Sequence, residues 1–288
     1  MTATRKKAVY GLYIIAAGCF FLYYLFPSEA LRRFIASELK HAHPELDITI
    51  DRIYPVLPPG LRMRAVALLY HGRPLIDAEE FTLTPVIASL FGARPEIAFK
   101  GRSGQGIFQG AVEKQTTDQT SHWLVNADFS EIHLEAVPVW QHLSGYALSG
   151  RLSGRLTFQQ TGAAGIGAAS LSIRDGAIEF SPPLLDLKQF DFDTLELAIA
   201  LSPRRLRIER CTLKGRQLEG NMSGSIGLAS AYLQNGLRLA GILRPHPVLL
   251  ADLKRRLPDT LWPQIRNSPE GFAFNIDGTV GNPRISLR

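Results

Sequence analysis

The chain has 288 residues and a formal net charge of +6, from 32 lysines and arginines and 26 acidic residues. Three of the cations, Arg5, Lys6 and Lys7, precede the first apolar run, so the rest of the chain carries only about +3 and nucleic-acid binding is not indicated. The two cysteines, Cys19 in that run and Cys211 in a predicted strand, exclude a disulfide-rich secreted scaffold.

The first apolar run, residues 9–26, is predicted to be an uncleaved membrane anchor. It has eighteen residues without a charge, and at about 1.5 Å per residue such a helix approaches the ~30 Å hydrocarbon core of a bilayer. A cleaved signal peptide is the less favoured alternative, because bulky aromatic residues stand where a signal peptidase needs small ones. The residues assigned to the anchor are Val9, Leu12, Ile14, Ile15, Phe20, Phe21, Leu22, Leu25 and Phe26.

The charges beside this run predict its orientation. Because cations stand on its N-terminal side, residues 1–8 are expected in the cytoplasm and the bulk of the chain in the periplasm, attached to the inner membrane by a single pass. Residues 27–44 are predicted to form an amphipathic helix with Ser28 as N-cap and Pro44 after its end. Its apolar stripe is expected either to lie along the membrane surface or to cap the first strands.

From residue 45 to residue 288 the apolar period changes from 3.6 to 2, which predicts a β domain. The expected fold class is mainly β: an elongated, strongly twisted antiparallel sheet that follows the two N-terminal helices. Short helical segments are predicted at 85–91 and 137–143, and a longer one at 247–257. The predicted strands are 46–53, 61–70, 74–84, 95–101, 106–113, 146–158, 167–180, 190–201, 204–213, 217–228, 236–244, 271–277 and 283–288.

Glycines recur on the apolar side of two of these strands, at Gly150, Gly154, Gly220 and Gly224. Each of them weakens a strand interior, so their presence needs a physical reason. One explanation is a tightly coiled sheet, and the other is close packing against a helix or a second sheet.

The apolar side of these strands is the one candidate binding surface that the sequence offers. An apolar sheet face anchored at a membrane is suited to acyl chains, although a covered face that forms an ordinary core gives the same alternation. The residues assigned to this candidate groove are Leu148, Leu152, Leu156, Phe158, Leu218, Met222, Ile226 and Leu228.

Patterns typical of catalysis, metal binding or cofactor binding are missing from the sequence. His41 and His43 have no third ligand nearby, and the glycine-rich segments 101–106 and 162–167 lack the Lys-Ser/Thr pair of a phosphate-binding loop. We therefore expect a protein without catalytic residues, metal or cofactor.

Several motifs, taken in order, resemble a known family. After the anchor and the amphipathic helix come 61–66 (LRMRAV), 72–78 (GRPLIDA), 95–101 (PEIAFKG), 218–224 (LEGNMSG) and the terminal 276–285 (IDGTVGNPRI). This order is similar to that of the type II secretion system protein N (GspN) family. The Gly-Thr-x-x-x-Pro ending also resembles AsmA and TamB-like envelope proteins.

The GspN resemblance implies a non-catalytic inner-membrane component of the type II secretion system, with a periplasmic domain that contacts other subunits. The AsmA-like features imply the alternative, a protein that binds or transfers phospholipid or another acyl ligand through an apolar β groove.

Overall fold

The computed structural model describes most of the chain from Ser28 onward and part of the N-terminal segment. The described residues are 10, 13, 17–18, 20–21, 23–57, 59–92, 94–117, 120–141, 146–161, 164–184, 187–228, 234–247, 271–280 and 282–287.

In the described part of the chain, fourteen strands form a single antiparallel sheet in which each strand pairs with the next one in the sequence. Short connections favour this arrangement, because an antiparallel neighbour can be reached through a tight turn. The prediction of a mainly-β antiparallel fold is therefore confirmed. The strands are β1 (Leu46–Val56), β2 (Gly60–Tyr70), β3 (Arg73–Pro85), β4 (Glu96–Ser103), β5 (Gly106–Thr117), β6 (Thr120–His133), β7 (Tyr146–Thr161), β8 (Ala164–Leu184), β9 (Leu187–Ser202), β10 (Arg205–Lys214), β11 (Leu218–Gly227), β12 (Gly236–Pro245), β13 (Phe272–Thr279) and β14 (Asn282–Leu287).

One of these strands, β6, is absent from the sequence-based expectation, which has no strand between 113 and 137. Its residues alternate from 125 to 130, with Val125, Ala127 and Phe129 on one face and polar residues between them, so the strand signal was present and was missed. The individual preferences are weak, because Ala, Asn and Asp are depleted in strands. Pairing with β5 and β7 on both sides nevertheless holds the segment extended.

From residue 28 onward, the helices within the described ranges are mostly short: α1 (Ser28–Ala42), α2 (Ile87–Leu90), a 3₁₀ helix (Leu134–Ala136) and α3 (Pro138–Gln141). The predicted N-cap of α1 is wrong by one residue, because Pro27 occupies the cap position and Ser28 is already helical. The Leu31 N–H donates to the Pro27 carbonyl at 3.0 Å. Of the helix expected at 247–257, all but residue 247 lies outside the described residues.

Helix α1 packs on the first strands of the sheet. Leu31 and Ile35 on one face of the helix contact a cluster formed by the buried side chains of Ile50, Ile53 and Met63. Of the two expectations for this helix, capping of the first strands is therefore the one that the structure bears out.

A second buried cluster lies between the 3₁₀ helix, which follows β6, and strands β8 and β9. Leu134, only 1% exposed, packs among Ile173, Phe190 and Phe192. The 3₁₀ helix therefore covers only the part of the sheet around these strands.

The structure describes only part of the predicted anchor, including four of the nine residues assigned to it. Val9, Leu12, Ile14, Ile15 and Leu22 lie outside the described residues. Phe20 and Phe21 are helical and exposed, and Leu25 is 67% exposed in the turn that follows. Among the described residues, no helix has both the length and the apolar character needed to cross a membrane.

The strand glycines are explained by close approach within the sheet. Gly150 has φ +129°, and a Cβ there would stand 2.9 Å from the Cα of Gly176 on the neighbouring strand. Gly224 has φ +147°, another conformation that L side chains rarely adopt. The neighbour that demands glycine at position 150 is thus the adjacent strand of the same sheet, and not a helix or a second sheet.

Candidate functional site: the apolar face of the sheet

The register of the sheet brings apolar residues from successive strands into one line. Residues directly opposite each other on antiparallel strands point to the same face. Phe129 on β6 pairs with Gly154 on β7, and Gly154 pairs with Leu171 on β8. Leu171 in turn pairs with Leu197 on β9. The register of the strands therefore places the apolar side of each strand on the same face of the sheet as the apolar side of its neighbours.

This line crosses thirteen strands, and we call it the apolar row. Every member is an apolar residue, a cysteine or a glycine, and at about 4.8 Å per strand the row is close to 60 Å long. Its members from β1 to β13 are Ile53, Met63, Phe81, Gly101, Phe108, Phe129, Gly154, Leu171, Leu197, Cys211, Met222, Gly241 and Phe274.

Aromatic rings lie over glycines within the row. A Cβ on Gly241 would come 2.7 Å from the Phe274 ring, and a Cβ on Gly101 would overlap the Phe108 ring. Phe108 also stacks with Phe81 at a centroid distance of 5.8 Å. Glycine has no side chain, and the neighbouring aromatic rings fill the space that one would occupy. The row therefore forms a continuous apolar surface even at its glycines.

The residues predicted to line a groove lie on this same face. A second row of cross-strand pairs lies beside the first and runs from β7 to β11. Its members are Phe158, Gly167, Leu201, Leu206 and Ile226. β7 and β11 are not neighbours, so the predicted residues of these two strands are joined through the three strands between them. The predicted residues that belong to this face are Leu148, Leu152, Leu156, Phe158, Leu218, Met222 and Ile226.

All seven of these predicted residues are half-buried, between fully buried and fully exposed to solvent. Leu228 follows the end of β11 and is 37% exposed. Burial in this range differs from that of an ordinary two-layer core, where side chains of this type are mostly fully buried. The face is therefore partly accessible to solvent at the predicted positions.

Sequence reasoning missed the half of the face that lies nearer the N-terminus. Phe81, Phe99 and Phe108 form an aromatic group on β3, β4 and β5, with centroids 5.8 to 6.5 Å apart. The signal was present as alternation within 95–101 and 106–113. The pairing that joins the three rings, however, is not visible from any one of these segments.

The opposite face of the sheet is charged. Arg155 lies 2.8 Å from Asp128, and Arg62 lies 3.0 Å from Glu80. A hydrogen bond from Arg155 to Asp128 and the charge of that carboxylate raise the pKa of the guanidinium. This face also has a concavity of about 630 Å³, whose lining includes Lys100 together with both partners of the Arg62–Glu80 pair. Its mixed charge does not favour one class of ligand.

A larger and more apolar cavity, of about 1080 Å³, lies where the N-terminal apolar segment meets the sheet. Phe20, Tyr23 and Phe26 line one side of it. The other side is formed by the β1–β2 hairpin and the adjoining ends of β3 and β4, including Leu61 and Leu83 of the apolar face. Its volume reaches the upper end of the usual range for small-molecule sites, ~300–1,000 Å³.

The apolar row contains one cysteine, Cys211. It is half-buried, and burial raises the pKa of its thiol, so it remains protonated at neutral pH. A protonated thiol in this position acts as a small apolar side chain.

The fold and this face define a class of protein: a single amphipathic antiparallel sheet with one half-buried apolar face and one charged face. Compared with protein-family models, curated proteins and solved structures, the chain has no significant match.

Proposed function

We propose that this protein binds acyl chains, such as those of phospholipids, along the apolar face of its sheet while attached to the inner membrane. The single observation that carries the proposal is the apolar row, which is continuous over thirteen strands and half-buried over much of its length. An extended apolar surface of this kind is rare on a soluble monomer unless it binds something.

An acyl chain fits this surface by its chemistry. It is long, flexible and without polar groups, so it removes apolar area from water at roughly 25 cal/mol per Å² and leaves no buried hydrogen-bonding group unpaired. The row offers no charged side chain that would oppose it. The ion-paired face opposite stays in water, which is the arrangement expected of a sheet that is solvated on one side.

Membrane attachment is the second part of the proposal. It rests on the uncharged run at 9–26 and the cations before it, which predict a single-pass anchor with the β domain in the periplasm. The cavity of about 1080 Å³ supports it, because the end of that run and the first strands of the apolar face line the same space.

Lipid binding is tested with a pair of adjacent residues on opposite faces. Met222 is half-buried in the apolar row, and Ser223 beside it is exposed on the other face. We expect Met222→Glu to lower the amount of phospholipid that copurifies with the full chain several-fold, whereas Ser223→Glu leaves it unchanged. Mass spectrometry of extracted lipid measures the phospholipid content of both variants. Met222→Gln, whose side chain has a similar volume and no charge, is the control for folding.

The lipid proposal fails if the native chain, isolated from membranes, carries no phospholipid and takes up no photoactivatable fatty acid. It also fails if label from that probe appears equally on both faces of the sheet, because binding would then have no relation to the apolar row.

A component of the type II secretion system is the second candidate. We propose it because the ordered motifs resemble the GspN family, and one observation favours it. Among the described strands, β1 and β14 are the edges of the sheet, and each pairs with a single neighbour. Such edges can accept a strand from another protein.

The secretion role is tested by deleting the gene. We expect the deletion strain to lose exoprotein secretion while its membrane lipid composition stays unchanged. Normal secretion in that strain excludes this role.

A further inference from the structure

One end of the first four strands carries exposed apolar side chains. Leu57 in the β1–β2 turn is 80% exposed, and Phe91 in the β3–β4 connection is 90% exposed. Ile87 and Ile97 flank Phe91 in the chain and are 49% and 41% exposed. Because the strands alternate in direction, these two connections lie side by side at the same end of the sheet.

The opposite end of the same strands has a different composition. The β2–β3 turn is His71-Gly72 and the β4–β5 turn is Gly104-Gln105, which are ordinary turn residues. Three apolar side chains near this opposite end are also exposed, but by less than half: Tyr70 at 36%, Ile107 at 40% and Ile76 at 49%. The most exposed apolar side chains of these strands, Leu57 and Phe91, therefore lie at one end.

The N-terminal apolar segment reaches this same end. Phe20, Tyr23 and Phe26 line a cavity whose other side includes Leu57, Pro59, Pro85 and Ile97. The exposed apolar side chains thus continue the surface of the segment for which membrane insertion is proposed. Arg94, three residues after Phe91, has a side chain that is 70% exposed although its Nε lies 3.7 Å from the Glu113 carboxylate. Exposure of this kind suits a residue at the level of lipid phosphates.

We propose that this end of the sheet, defined by Leu57, Ile87 and Phe91, inserts into the surface of the same bilayer that holds residues 9–26. The inference rests on the proposed membrane attachment and adds a second contact with the lipid. A bilayer is the occupant because these side chains extend an apolar segment that is itself suited to acyl chains, and Leu57 lines the same cavity as that segment.

This contact has a consequence for the proposed function. Strands β1 to β4 then rise from the bilayer, and at about 3.3 Å per residue the far end of β2 stands ~33 Å from the β1–β2 turn. The apolar face begins at the depth of the acyl chains. Lipid could therefore pass sideways from the bilayer onto Leu61 and Leu83 without its chains crossing water.

The test measures the depth of single reporters in the full chain reconstituted in phospholipid vesicles. In a background of Cys19→Ala and Cys211→Ala, an environment-sensitive fluorophore is attached to Leu57→Cys or Phe91→Cys. The matched controls are Arg73→Cys and Arg102→Cys, which are exposed positions at the other end of the same strands.

We expect blue-shifted emission and strong quenching by nitroxide-labelled lipids at positions 57 and 91, and neither effect at positions 73 and 102. Equal quenching at all four positions, or none at 57 and 91, overturns the inference. Flotation of the vesicles separates the two proposals. Protein that floats with unquenched reporters at 57 and 91 contradicts only the insertion of this end, whereas protein that does not float contradicts the membrane attachment and this inference with it.

Discussion

Glu131 and Arg174, 43 residues apart in the chain, form an ion pair with 3.1 Å between Oε1 and Nη2 on the charged face of the sheet. Arg151 donates to the other carboxylate oxygen of Glu131 at 3.3 Å and also contacts Asp175. These four residues therefore connect β6, β7 and β8 on the side opposite the apolar row.

The first prediction concerns the strength of this pair. Both side chains are about half exposed, so a double-mutant cycle of Glu131→Gln and Arg174→Gln should give a coupling energy of at most ~1 kcal/mol. The coupling should fall as salt is added, because exposed charges are screened. Urea unfolding at low and high salt measures it, and a salt-independent coupling contradicts the interpretation.

The second prediction concerns Ala65 on β2, an exposed residue with φ +47°. An L residue is disfavoured in this left-handed region, so Ala65→Gly should raise the free energy of unfolding by roughly 0.5–1 kcal/mol. The control is Ala67→Gly on the same strand, which should lower it by a similar amount because that residue lies in regular strand backbone. If both substitutions destabilise equally, the backbone at residue 65 is not left-handed.

The third prediction concerns Glu135 in the 3₁₀ helix. Burial tends to raise the pKa of its carboxyl, but hydrogen bonds from its own backbone N–H and from Gly150 N–H, at 3.2 Å, together with His133, outweigh burial and lower it. A lowered pKa in the folded state means that the stabilisation is present above the ordinary pKa of a glutamate and is lost as the pH falls through the folded value.

Glu135→Gln should therefore be less stable than the native protein at pH 7, with a difference that shrinks as the pH falls through the pKa of Glu135. Chemical unfolding at a series of pH values measures the difference. A gap between the two proteins that widens as the pH falls through the pKa of Glu135 contradicts the sign of the shift.

The fourth prediction uses Cys211 as a native reporter of the apolar row. Since burial raises the pKa of its thiol, modification by a thiol reagent at neutral pH should be slow in the folded protein and fast in urea. With Cys19→Ala to leave one cysteine, a bound fatty acid should slow modification further. A rate that does not change with saturating fatty acid contradicts acyl binding at this part of the row.

Much of the fold follows from local patterns. The alternation at 146–158 predicts β7, and the apolar stripe with Leu31 and Ile35 predicts the face of α1 that packs on the sheet. The strand β6 was missed although residues 125–130 alternate, because Asn126, Ala127 and Asp128 are residue types that strands disfavour. In this case the pairing, and not the intrinsic preference of the segment, holds the strand extended.

What the sequence by itself determined is the existence of two unlike faces on each strand, because side chains alternate with a period of two and the apolar ones fall on one side. Only the tertiary structure decided that Ile53 and Phe274 belong to one line across thirteen strands. Register is set between strands, and a shift of a single residue would have moved the apolar side chains of a strand to the charged face. The half-burial of residues such as Met222 could not be predicted from a single strand either, since alternation is the same in a covered core and in a partly open face.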